Sequence, residues 1–212
     1  MPTSAEWLVF LGTATLFAIM PGPGVFYVLA RSLKGGRSEG IRSVIGNGIG
    51  ACVHVVAAAF GLSAVLATSA TAFTVVKLAG AAYLIYLGVK TLFGKDRHDI
   101  DQIRPTASSG GRRSVILQGV VSEVLNPKTA LYFLALLPHF VHVDRDPAPL
   151  VFTLLGLIAV AMAVVVDVLV AIFAGYVGAK LRGNPRWQVR QRIGTGLTMI
   201  GLGGVLALAE QN

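Results

Sequence analysis

Six apolar runs dominate this sequence: Trp7–Ala30, Ile41–Ala67, Thr71–Phe93, Ser114–Val141, Leu150–Val177 and Ile193–Ala209. Each approaches the length of about 20 residues that a helix needs to cross the hydrocarbon core of a bilayer. Backbone groups find no water at that depth, so consecutive runs of this kind can only be satisfied as packed helices. The expected fold is therefore all-α, a polytopic membrane protein with six transmembrane helices forming one transport domain over residues 1–212. The charged fraction agrees: 13% of residues, against about 25% in soluble domains.

The segments between the runs give each loop a side. The second and third runs are joined by the uncharged "TSAT", which predicts a tight helical hairpin. "GKDRHDIDQIRPTASSGGRR" (94–113) reads as a polar linker, dividing the chain into residues of about 5–93 and of about 114–209. Basic residues crowd the first loop (Arg31, Lys34, Arg37, Arg42), the third (Lys95, Arg97, Arg104, Arg112, Arg113) and the fifth (Lys180, Arg182, Arg186, Arg190, Arg192). The second loop has none, and the fourth has Arg145 between Asp144 and Asp146. The positive-inside rule then puts the odd loops in the cytoplasm and both termini outside. The net charge of +8 reads as a record of orientation, with no nucleic-acid partner expected. No Lys or Arg precedes Arg31 and the first run is long, so it reads as a retained span and not a cleaved signal. The single cysteine, Cys52, excludes a disulfide within the chain and a cysteine-based metal site. It reads as a small buried apolar residue.

The two halves resemble each other. Setting Pro21 on Pro127 aligns "PGPGVFYVLA" with "PKTALYFLAL", and two spans later "KLAGAAYLIYLG" parallels "RIGTGLTMIGLG". Three spans per half oblige the halves to enter from opposite faces, the inverted-repeat plan of many secondary transporters, with the first and fourth helices broken near the midplane. At 1.5 Å per residue, Pro21 and Pro127 both fall roughly 20 Å along their helices. Proline removes a donor and clashes with the preceding turn, and free backbone at that depth is tolerated only against protein or a wet cavity.

"MPGPG" (Met20–Gly24), "KLAGAAYLIYLGVKTL" (Lys77–Leu92), "VLNPKTALYFLALLPHFV" (Val124–Val141) and "VVDVLVAIFAGYVGAKLR" (Val165–Arg182) resemble the lysine exporter/homoserine-resistance family of amino-acid exporters. The resemblance runs nearly the whole length. It implies a bacterial inner-membrane carrier that exports amino acids or their derivatives by proton antiport. Three positions differ from the family's usual pattern: His139 replaces a glutamine, Glu123 an asparagine, and the fifth span lacks an aromatic after its acid.

Ionisable groups within spans are expensive and usually face a cavity or a partner. Lys77, at the outer end of its span, is expected to snorkel. Glu123 and Lys128 would stand about 140° apart on an unbroken helix, too far for a pair, but the break frees Lys128. Lys128 is then a candidate to hold a substrate carboxylate, aided by free amides near Pro21, Gly22, Pro23 and Gly24; alternatively it only neutralises Glu123 or Asp167. Asn126 can serve the unwound backbone at Pro127. A carboxyl at the depth of Asp167 is poised to load and release a proton. Glu123 would bind the substrate ammonium, or the two acids exchange roles. No third acid is left at depth for a second amine, which favours a neutral amino acid.

The glycines of "GNGIG" (Gly46–Gly50) should allow close helix approach, with Asn47 a polar contact. Such helices would also suit a homodimer. His54 reads as a hydrogen-bonded core histidine, with a proton relay as the alternative. His139 and His142, three apart, have the spacing of a metal pair, but no carboxylate lies near beyond loop Asp144 and Asp146, so metal binding is not expected. Phe26, Tyr27, Tyr83, Tyr86, Tyr132 and Phe133 could line a pocket, packing being the default. No cofactor is expected. The sequence lacks H-E-x-x-H and paired intramembrane aspartates, which argues against an enzyme. A cation or metal exporter and a subunit without transport of its own remain the alternatives.

Overall fold

The computed structural model describes residues 2–64, 112–142 and 145–181, together with single helical positions between 71 and 93 and between 189 and 204. Regular structure among the described residues is helical throughout. Lys77, Tyr83, Asp144, residues 94–111 of the linker and most of the sixth run lie outside the described residues.

Helix α1 spans Ser4–Ile19. Thr3 caps it and closes a capping box with Glu6, each side chain taking the other's backbone amide. The helix stops because a residue before proline is driven out of the α region: Met20, ahead of Pro21, is extended at φ −64°, ψ 122°. The chain stays extended through Gly22, and Pro23 opens α2 (Pro23–Val56) at a position where its missing N–H costs nothing. α2 consists of two arms joined at Gly36, whose φ of 73° is the only positive value among the described residues. That conformation suits glycine alone, so the turn between the first and second runs is a bent helix and not a loop. A wide π-helical segment, Ala57–Leu62, follows.

Helix α3 spans Arg112–Val124 and α4 spans Pro127–Leu131. Between them Asn126 is again extended ahead of a proline, and the two parts of the run are bent by 44°. A π-helical turn (Tyr132–Leu136) and a 3-10 turn (Leu137–Phe140) complete the run. It is Pro23, and not Pro21, that matches Pro127 as the first residue of a restarted helix. Finally α5, Ala148–Leu181, is long enough at 34 residues to cross a bilayer.

Two helices among the described residues are long and apolar enough to span a membrane, and the bent α3–α4 run makes a third. Large apolar side chains such as Leu8, Leu16, Ile19, Phe60, Leu117 and Leu125 point outward, as a lipid-facing surface requires. The interior is held by Phe10, Phe133, Phe140, Phe152 and Leu155, all buried. Phe10 meets the edge of Phe140 at 5.5 Å and Phe17 stacks on Tyr132 at 4.2 Å, so α1 packs along the second half of the bent run.

At one end of the molecule, before the first apolar run, Glu6 accepts a 2.8 Å hydrogen bond from His142. The Thr3 amide, donating to the same carboxylate, holds its pKa down to about 2, and the His142 contact adds to this. A carboxyl lowered in this way stabilises the fold above its ordinary titration near pH 4.5 and loses that contribution as pH falls towards 2. Glu6→Gln should therefore flatten the acid limb of thermal stability while costing about 1 kcal/mol or less at neutral pH, the range of exposed pairs. Melting curves of both proteins between pH 2 and 7 test this.

Candidate functional site

Both breaks open onto one buried polar cluster. Glu123, one turn before the second break, has both carboxylate oxygens bonded: Thr129 Oγ1 donates to Oε1, and Asn126 Nδ2 donates to Oε2 at 3.0 Å. Its backbone carbonyl accepts from His54 at 3.1 Å. Asn126 serves twice, because its Oδ1 also caps α4 by accepting the Lys128 amide at 3.0 Å.

The Glu123 carboxylate lies against Gly24, in the first turn of α2. A Cβ there would overlap Glu123 Oε2 and come within 3.0 Å of Asn47 Nδ2, so any larger residue would have to push the bonded carboxylate aside. Gly22 gives α2 no side-chain cap, which leaves first-turn amides directed into this region. A carboxylate at that end complements the helix dipole.

Asn47 joins the far side. Its Nδ2 donates to the Gly24 carbonyl and to Asp167 Oδ2, both at 3.0 Å. Its own Oδ1 is buried without a hydrogen-bond partner among the described residues. Asp167, buried on α5, has Asn47 as its one hydrogen-bond donor among the described residues. Lys128 is buried as well. Its ammonium donates to the carbonyls of Phe17 and Met20, each at 2.9 Å, and sits 4.5 Å from the centre of the Phe17 ring. It forms no salt bridge with Glu123 or Asp167 among the described residues.

The structure thus brings Gly22, Gly24, Asn47, Glu123, Asn126, Lys128 and Asp167 together around the restarts at Pro23 and Pro127, with Pro21 in the first break. Thr129 belongs to the same cluster and was missed; a hydroxyl beside "NPK" in an apolar run was the signal. His54 joins through a carbonyl and stacks near Phe133 at 6.0 Å. His142 finds Glu6, while His139 packs at the edge of Phe140.

A buried charge was also missed. Arg31 continues the first arm of α2 inward instead of lying in a loop: it donates to Gln118, approaches Glu39 at 3.5 Å and lies over the Tyr27 ring. Tyr27 in turn donates to the Val115 carbonyl at 2.7 Å.

Residues 15–210 match the family model described as LysE type translocator. The chain belongs to that family. This translocator is 31% identical to the uncharacterized membrane protein YrhP of Bacillus subtilis, over 92% of its own length and 95% of that protein's. It is 28% identical to the homoserine/homoserine lactone efflux protein of Salmonella typhimurium, covering 96% and 97% of the two chains. A leucine efflux protein of Klebsiella pneumoniae is 27% identical over 72% of the translocator and 71% of the relative. No solved structure matches the chain at a significant level. A family of membrane translocators accounts for a buried polar cluster among apolar helices, and the chain is a transporter and not an enzyme.

Proposed function

We propose that the chain exports a neutral amino acid or a derivative across the bacterial inner membrane in exchange for protons. The observation that carries this is the contrast between the two buried acids. Glu123 is pinned at both oxygens by Thr129 and Asn126, whereas Asp167 is held by the Asn47 amide alone. A group that gains and loses a proton in each cycle must change partners, and the loosely held acid does so at the smaller cost. Asp167 is therefore the proton carrier. Glu123 keeps spare lone pairs on fixed oxygens and takes the substrate ammonium. The free first-turn amides of α2 take the substrate carboxylate, and the third proton of the Lys128 ammonium can join them.

Six helices in two inverted halves, with both termini outside, accommodate this cycle. Two similar breaks, each ending in a proline at a helix start, support that plan. So does the Glu6–His142 contact, which puts the start of the first run at the same end as the close of the fourth. Relatives named for homoserine and leucine efflux support a substrate with no charged side chain.

The test is flux from proteoliposomes loaded with a panel of amino acids. Homoserine or leucine should leave faster when the outside is acidic, lysine should not, and a protonophore should abolish the difference. Fluxes that ignore the gradient for every amino acid would overturn the proposal.

A further inference from the structure

Helix α1 ends in the middle of the protein with no basic residue in its last turn. Its terminal carbonyls lack intrahelical partners, and in an apolar interior such groups must be satisfied from elsewhere. Only one side chain reaches them among the described residues. The Lys128 ammonium, 108 residues further on, donates to both Met20 and Phe17. The Phe17 ring forms the floor of the same cradle, and its Tyr132 partner ties the cradle to the turn after α4. Room for the lysine stem exists because Gly22 has no side chain; a Cβ there would stand 3.0 Å from Lys128 Cδ. Two carbonyls, the negative end of a helix and an aromatic face make a recognition site for a small monovalent cation.

We propose that the carbonyl end of α1 is a monovalent-cation site whose cation is built into the chain as the Lys128 ammonium. The ammonium occupies the cradle at every stage when the substrate pocket is empty, and it fastens the end of α1 to the start of α4. No dissolved cation is needed there, so this cradle has no use for sodium. This holds whatever the carrier exports, because the cradle is complete without substrate.

Lys128→Ala removes the propylammonium portion of the side chain and leaves a hole of that shape. In full-length protein without any amino acid, the variant should melt about 5 °C or more below wild type. Added n-propylammonium should restore most of the loss, while n-propanol, of similar shape but neutral, should not. Wild-type melting should not change when choline replaces sodium. A variant that melts like wild type, one that responds equally to propanol, or a sodium-dependent wild type would each overturn the inference. Should Lys128→Ala not fold, Lys128→Met fills the volume without charge. Amide exchange in the last turn of α1 should then quicken by at least about tenfold, and unchanged protection would refute the inference. Proteoliposomes that show no flux would count against the proposed function and leave the melting result standing.

Discussion

Proton-driven export should fall by about 100-fold or more in Asp167→Asn, the low end of the contribution of a positioned proton-transfer group. The substitution is nearly isosteric, and the new amide oxygen can still accept from Asn47, so the link between α2 and α5 persists. What disappears is the ability to release a proton. The variant is fixed in the equivalent of the loaded state, and its remaining exchange of substrate for substrate should no longer vary with pH. Flux with and without a pH gradient, beside counterflow at several pH values, separates the two quantities. Gradient-driven export at the wild-type rate would show that the proton travels elsewhere, with Glu123 the next acid to test.

The largest loss of stability should come from Gly46→Leu. A Cβ at Gly46 would stand 2.9 Å from Gly119 Cα, and one at Gly119 would stand 3.0 Å from Gly46 Cα. The helices α2 and α3 therefore meet backbone to backbone, and neither neighbour has a flexible end that can move aside. Forcing a branched side chain into such a contact should cost about 3 kcal/mol. It should also part Asn47 and Glu123 from the cluster they share. Thermal unfolding in detergent reads the cost. Gly61→Ala, where nothing lies within 4 Å, is the matched control and should melt like wild type.

Much of the cluster was legible in the sequence because depth makes polar residues conspicuous. Asn47, Glu123, Asn126, Lys128 and Asp167 stand out in apolar runs, and the X–Pro steps at Met20 and Asn126 announce where a helix must stop. Partners were less legible. The acceptors of Lys128 are backbone carbonyls, which every residue possesses, so nothing in the letters at Phe17 and Met20 advertises them. Arg31 reads as a loop charge because a window of apolar residues ends before it. In the structure the helix carries on to Gly36, and Gln118 and Glu39 receive the guanidinium. Glu6 and His142 lie 136 positions apart, beyond any local pattern.

Bare backbones in contact behave like two rods glued along their length. The second arm of α2 and α3 must travel as one piece, and Asn47 and Glu123 ride on that piece at constant separation. By contrast, α5 meets α2 through side chains, among them Val44, Val164, Val168 and Ala171, with no pair of bare backbones like Gly46 and Gly119 among the described residues. In the export cycle proposed above, the distance expected to change is the reach from Asn47 to Asp167.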